Sequence, residues 1–164
     1  MSQNTATLHL VCGKAASGKS TLAARLGQAE RAIVIAEDDW LSALFADQMT
    51  TLPDYVRCAG KLRGIMGPHV VALLRAGLSV VLDFPANTVE TRRWMRGLVD
   101  ASGAAHRLHY LDVADEICRA RLQMCNAGGD HPFAVSDAQF EPLLKHFVPP
   151  ADDEGFNILR HEAP

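Results

Sequence analysis

Gly13-Lys14-Ala15-Ala16-Ser17-Gly18-Lys19-Ser20 (GKAASGKS) fits the pattern GxxxxGK[ST] in full. The stretch before it, Thr7 to Cys12 (TLHLVC), is short, apolar and β-rich, and reads as a buried strand. After it, Leu22, Leu26 and Ala29 recur at helical spacing, which predicts a helix from about Lys19. Strand, glycine turn and helix in that order make a phosphate-binding loop. Gly13 and Gly18 let the backbone turn until successive N–H groups converge on one anion. Lys19 reaches the β- and γ-phosphates, and the Ser20 hydroxyl is placed to ligate Mg²⁺. The helix offers its positive end to the same phosphates. The pattern arises by accident in on the order of one chain in a few hundred, and the flanking strand and helix lower that further. Gly13 to Ser20, with Thr21, is thus the predicted nucleotide site, with ATP and Mg²⁺ as cofactors.

Further along the chain, strand and helix alternate. Ala32 to Ala36 (AIVIA) reads as a second buried strand and a helical run begins near Trp40. Asp47 to Pro53 looks like a break. Gly60, Gly64 and Gly67-Pro68 interrupt the helical pattern of Tyr55 to Ala76, which predicts two helices, the second closed by Gly77. Leu78 to Asp83 is a third strand, Thr88 to Ser102 a helix, and Ala105 to Leu111 a fourth strand. A helix runs from Asp115 to about Asn126, and a glycine-rich loop covers 127 to 135. Ser136 and Gln139 make a capping box for a last helix through Phe147, and Phe156 to Arg160 is a final strand. This alternation predicts one α/β domain with a parallel sheet and right-handed crossovers.

Composition narrows the function classes. The 164 residues suffice for one domain with its own core, and 48% hydrophobic with 21% charged residues is an ordinary globular balance. A net charge of −3 without a basic run, and only 6% aromatic residues, argue against a nucleic-acid groove. Cys12, Cys58, Cys118 and Cys125 are scattered with no metal-ligand spacing, which fits a reducing cytoplasm. Neither a signal peptide nor a membrane span is predicted.

A phosphate loop also needs a carboxylate on a neighbouring strand to organise magnesium, and Asp83 ends the third strand where that residue belongs. If its strand lies beside the first, the sheet order is 2-3-1-4-5. The second strand then ends on the acceptor side of the γ-phosphate, with Glu37, Asp38 and Asp39 where an incoming hydroxyl needs a base. Three acids also suit a plain helix start. As base, Asp38 ranks first, Asp39 second and Glu37 last. In the helix from Asp115, Arg119 shares a polar face with Gln123, whereas Arg121 falls near the centre of the apolar arc. A charge there calls for a partner or a role, so Arg121 is the candidate nucleotide-facing arginine.

With these parts in order, the chain resembles the small P-loop kinases that include chloramphenicol phosphotransferase and the zeta toxins, and the uncharacterised bacterial AAA-type ATP-binding kinases beside them. The resemblance rests on Gly13 to Ser20, Glu37-Asp38-Asp39-Trp40, Leu82-Asp83-Phe84 with Asn87-Thr88, Arg121 and Asn126, and Phe147-Val148-Pro149-Pro150 with Glu154. It implies a three-layer P-loop kinase fold over residues 1–164 with a five-stranded sheet. It also implies a lid at about 119–135, and adenine between the lid arginine and roughly Pro149 to Asn157. Similar kinases often carry a second basic residue one turn after the lid arginine, where this chain has Cys125.

Residues 46–68 are the longest stretch the core does not need, and so the expected cover of the acceptor. Asp54, Tyr55, Arg57, Lys61 and Arg63, with Arg92 and Arg93, are read as a mildly basic pocket. Asp39, Arg57, Arg63 and Asn87 are the candidate acceptor residues. Three functions stay open: a kinase acting on a hydroxyl of a small molecule, such as a metabolite, sugar-like compound or antibiotic; a nucleic-acid end kinase; and an ATP-binding sensor without turnover. The first is preferred, with Lys19, Asp38 and Arg121 as its catalytic residues.

Overall fold

The computed structural model describes residues 5–128 and 146–162, with backbone alone for 125–128. Five parallel strands form one sheet: β1 (Thr7–Gly13), β2 (Ile33–Ala36), β3 (Val80–Pro85), β4 (Ala105–Asp112) and β5 (Ile158–Glu162). Their order is β2-β3-β1-β4-β5, the order expected if Asp83 lies beside the first strand. Helices cover both faces, so the chain has the P-loop kinase fold. The helices are α1 (Lys19–Ala29), α2 (Glu37–Phe45), α3 (Leu52–Arg75), α4 (Val89–Ser102) and α5 (Asp115–Gly128).

The main core lies between the sheet and α3 with α4. Leu8, Leu10, Leu82 and Leu108 meet Leu62, Met66, Val70 and Leu74 of α3 and Met95, Leu98 and Val99 of α4. Alternate strand residues point to the other face. There His9, His109 and His161 form a diagonal chain across β1, β4 and β5. His9 Nδ1 lies 3.1 Å from His109 Nε2, and His109 Nδ1 lies 3.1 Å from His161 Nε2. The rings stack in sequence, with His9 and His109 buried and His161 half-buried.

Three expectations are corrected. The two helices predicted across Tyr55 to Ala76 are one, α3, with Pro68 inside it. Its buried face, Cys58, Ala59, Leu62, Met66, Val70 and Leu74, keeps helical spacing straight through the proline, and burying such a stripe outweighs one lost bond. Pro68 frees the carbonyl four residues back, on Gly64, which is exposed and open to water. Gly67 lets α4 come close: a Cβ there would sit 3.4 Å from Trp94 and Leu98. Second, β2 is an edge strand with Ile33 and Val34 about two-fifths exposed, not a buried one. Third, α2 starts at Glu37 rather than Trp40, so all three acids lie in its first turn.

β3 and β5 start and end two residues later than read, so Asp83 lies within β3 rather than at its end, and α3 opens at Leu52 inside the expected break; the close of α3 and the bounds of α4 stand as read. Leu78 N–H donates to Leu73 O and Gly77 N–H to Leu74 O, closing α3 with Gly77 at φ +88°. Thr51 and Asp54 cap its start reciprocally. Of the glycine-rich loop expected at 127–135, residues 127 and 128 end α5 and the rest lies outside the described residues, as do 136–145 of the predicted last helix and the side chains of Cys125 and Asn126.

Candidate nucleotide and phosphoryl-transfer site

β1 delivers the chain into the loop at Gly13, and α1 takes it away at Lys19. A Cβ on Gly13 would collide with Ser17 Oγ, so the loop closes only over a glycine. Gly18 adopts φ +101°, the left-handed turn that brings α1 in behind the loop. Ser17 N–H donates to Lys14 O, and Ser17 is buried with its hydroxyl unpartnered among the described residues. The first-turn N–H groups of α1, from Lys19, Ser20 and Thr21, have no intrahelical acceptor. An orphaned buried hydroxyl and a ring of unpaired N–H donors suit a polyphosphate.

Lys19 folds across the loop, its Nζ donating to Gly13 O at 2.6 Å and Lys14 O at 2.8 Å. Burial holds its ammonium below the usual lysine range, while Asp83 and Asp38 pull the other way. Lys14 turns to the opposite side. Its Nζ donates to Val113 O, pairs with Asp115 at 2.5 Å, and lies 6.0 Å from the centre of the Phe147 ring.

On the β2–β3 side, Ser20 Oγ donates to Asp83 Oδ2 at 2.9 Å. The β1–β3 ladder slips here from Leu10–Leu82 to Val11–Pro85, while Asp83 stays in register with Ala36 of β2. That register sets Asp83 beside the start of α2. Ser20, Ala24, Ala36, Asp38, Asp39 and Asp83 line an open cleft of about 270 Å³. Burial raises the Asp83 carboxyl against the pull of the Ser20 hydrogen bond and Lys19. Such a carboxylate gains from a cation, and hydroxyl with carboxylate oxygens is a donor set for Mg²⁺. Ser20 and Asp83 therefore fit that ion.

The three neighbouring acids separate. Asp38 is half-buried and Asp39 exposed, both on the cleft, whereas Glu37 is 1% exposed and points into the protein. Tyr55 Oη donates to Glu37 Oε2 at 2.8 Å, and Arg63 pairs with Oε1 at 3.4 Å. Glu37, ranked last as a base, is the acid that ties α2 to α3. Burial raises its carboxyl above the usual range.

The structure does not assemble the mildly basic pocket. Arg57 pairs with Asp54 and donates to Gln48 O on the surface, and Arg63 is engaged by Glu37, Thr91 and the Trp94 ring. Arg92 is wholly buried. Its guanidinium donates to both Glu154 oxygens and to the carbonyls of Ala86, Val148 and Pro149. Asn87 serves the loop: its Oδ1 accepts the Gly13 N–H at 3.0 Å. No feature of the sequence near Arg92 announces its partner, 62 residues away.

Arg121 also departs from expectation. It is exposed rather than central to an apolar arc: among the described side chains of α5, Cys118 and Leu122 are the buried ones, in a small cluster with Val113 against Ala15 and Ala16. That packing carries Arg121 over the loop, where Nη1 donates to Ser17 O at 3.3 Å. Arg119 is exposed.

Among the described residues, no helix is long and apolar enough to cross a membrane. No curated protein matches the chain. Of solved structures, a protein of Chloroflexus aurantiacus described as a candidate kinase is similar at TM-score 0.78 and 18% identity, over 99% of this chain and 87% of that one. Chaetomium thermophilum Kti12, in complex with ADP-AlF3, is similar at TM-score 0.68 and 15% identity, over 93% of this chain and 88% of that one. The Mycobacterium tuberculosis APS kinase CysC, in complex with AMPPNP and APS, is similar at TM-score 0.63 and 20% identity, over 95% and 88%. At these identities the likeness speaks for the fold. The model of the AAA domain family matches residues 8–150, and the chain belongs to that family.

Proposed function

We propose that the chain is an ATP–Mg²⁺-dependent phosphotransferase that moves the γ-phosphate to a hydroxyl of a small molecule. The observation that carries this is the convergence of Lys19, the Ser20–Asp83 pair and the Asp38 carboxylate around one cleft beside the phosphate loop. A neighbour holding a nucleotide analogue together with a small acceptor, APS, supports the same division of the fold. The resemblance to the chloramphenicol phosphotransferase and zeta-toxin group supports an alcohol as acceptor. One kinase domain over 1–164, a lid at about 119–135 and an acceptor cover at 46–68 belong to the same proposal, as does a cytoplasmic site of action.

In this reading the loop N–H groups and Lys19 bind the phosphates, and Ser20 with Asp83 hold the metal. Mg²⁺ held by Ser20 and Asp83 would supply neutralisation of the phosphate charge. Asp38 takes the proton of the acceptor hydroxyl as its oxygen bonds to the γ-phosphorus. The bond from that phosphorus to the bridging oxygen breaks, and ADP leaves with the electron pair. Arg121, beside the loop at Ser17, stands where it can neutralise charge on the transferring group. Asp39 is the retained acceptor candidate, while the contacts of Arg63, Arg57 and Asn87 suit a tie between α2 and α3, a surface pair and a loop prop.

The test is ADP release from ATP–Mg²⁺ against pooled hydroxylated metabolites and antibiotics, with mass spectrometry of the pools. A product heavier by one phosphoryl group that disappears in Lys19→Ala supports the reading and identifies the acceptor. ATP binding with no such product from any pool overturns it in favour of a sensor.

A further inference from the structure

Glu37 is set apart from the two acids beside it by what it touches. Asp38 and Asp39 stand on the open cleft, while the buried Glu37 meets two side chains of α3. Tyr55 Oη donates to its Oε2 at 2.8 Å, and Arg63 Nη2 donates to its Oε1 at 3.4 Å. Arg63 is held in turn by α4, through Thr91 Oγ1 at 3.5 Å and the Trp94 ring, whose centre lies 5.8 Å from the guanidinium carbon. A chain of contacts therefore runs from α4 through α3 into the first turn of α2.

The usual device for fixing a helix start is missing from α2. Thr51 and Thr88 cap α3 and α4 with a side-chain oxygen, whereas Ala36, at the N-cap of α2, has no side chain that can accept. Behind the helix, the β2–β3 ladder pairs Ala36 with Asp83 and sets where α2 leaves the sheet. It does not set how far α2 is rotated about its own axis. That rotation decides whether Asp38 faces the cleft. Successive residues lie about 100° apart, and a side-chain end stands roughly 5–6 Å from the axis, so a turn of about 20° carries it about 2 Å. A misplacement of about 1 Å can cost a reacting group about 10² in rate. Leu41, one turn further along the same side, is buried in the main core, but apolar contact has no direction.

A buried carboxylate is a costly way to attach one helix to another. Burial raises the Glu37 carboxyl even as Arg63 and Tyr55 draw it back. An apolar side chain would pack there without that cost. What it would not supply is orientation: two bonds to two oxygens, from residues two turns apart on α3, hold the Glu37 side chain one way round.

We propose that Glu37 is a positioning residue for phosphoryl transfer: clasped by Tyr55 and Arg63, it sets the rotation of α2 and so holds the Asp38 carboxylate toward the acceptor hydroxyl. This rests on the phosphotransferase reading above, in which Asp38 is the base. Glu37 itself touches neither nucleotide nor acceptor. Its loss acts on transfer through Asp38 alone, and the phosphate loop keeps its affinity for ATP.

The experiment is a double-mutant cycle on ADP release, run with ATP–Mg²⁺ and the hydroxylated pool that yields product. Glu37→Ala should lower kcat by about 10² and Tyr55→Phe by about tenfold, with KM for ATP within about twofold of wild type. Glu37→Gln keeps the length and an oxygen for Tyr55, and should regain about tenfold over Glu37→Ala. The deciding reading is the combination with Asp38→Asn. With the base already gone there is nothing left to position, so Glu37→Ala and Tyr55→Phe should each lower the remaining rate by less than about twofold. A residue that only holds the fold would lower it again by its full factor, or weaken ATP along with kcat. Either result overturns the proposal, as do single variants at the wild-type rate. Should Glu37→Ala not fold, the same cycle is read on Tyr55→Phe, which loses one hydroxyl and keeps the ring that packs on the core. Asp38→Asn at the wild-type rate, or no product from wild type in any pool, overturns the reading of the site and the proposal with it. A slow Asp38→Asn with additive losses at Glu37 and Tyr55 overturns the proposal alone.

Discussion

The two halves of the sheet that flank β1 meet the same physical problem and solve it differently. On the β2–β3 side, burial raises the Asp83 carboxyl, and Asp38 and Asp39 stand with it on an open cleft. From β1 toward β5, burial holds His9 of β1 below its ordinary value and pushes His109 of β4 down to about 4. Those rings stack and hydrogen-bond to one another in mid-strand. Desolvation disfavours the charged form in both places. At the strand ends a cation arriving from outside can relieve the cost. Within the sheet face, the rings settle it by staying neutral. Carboxylates gathered at an opening suit a ligand that brings positive charge, and polarity settled inside a face is where stability becomes sensitive to pH.

The sharpest way to break this contrast is Lys19→Ala. Removing the ammonium that spans Gly13 O and Lys14 O should lower ATP turnover by about 10² or more. Isotope-labelled ATP turnover measures it, and a variant with wild-type turnover removes the loop from the chemistry. Asp38→Asn should lower transfer by about 10²–10⁴ with ATP affinity nearly unchanged. Asp39→Asn should do far less. If the two exchange places in a side-by-side assay, the base is Asp39.

The histidine chain sharpens the other half. The native state keeps His9 and His109 neutral, while the unfolded chain takes up protons below about pH 6.5. The folded values are depressed, so this contribution to stability is intact above that pH and is lost as pH falls toward about 4. Each imidazole kept neutral gives a slope of about 1.4 kcal/mol per pH unit. Urea midpoints between pH 7 and 4.5 should fall in wild type and flatten in His109→Gln; parallel curves would count against the chain. The smallest effect is Thr88→Ala, which deletes the α4 cap accepted from Thr91 N–H. It should cost about 1 kcal/mol in urea unfolding and leave ATP affinity alone.

Legibility in the sequence followed the range over which each feature is determined. The phosphate loop is local: its glycines, lysine and serine sit within eight residues, and their backbone geometry decides the rest. The strand order followed from setting the strand of Asp83 beside the first, which is where the β1–β3 ladder has it. Gly67-Pro68 misled because a local break was overruled by a stripe buried along the whole of α3. Arg92 read as a surface or pocket cation because its anchor, Glu154, comes far later in the chain. Glu37 was placed last because nothing beside it discloses Tyr55 and Arg63 as partners. The histidines at 9, 109 and 161 meet only through strand register.

The continuity of α3 has a consequence for what the protein can accept. A 24-residue helix is a rod of about 36 Å, capped at one end by Thr51 with Asp54 and locked at the other by Gly77. Tyr55 and Arg63 clasp Glu37 from points two turns apart, so the rod is pinned against α2 rather than hinged on it. On the proposal that residues 46–68 cover the acceptor, a cover built this way would work as a ruler: it would admit molecules up to a fixed size and would not wrap around them. Acceptors should then be sorted by bulk at a threshold.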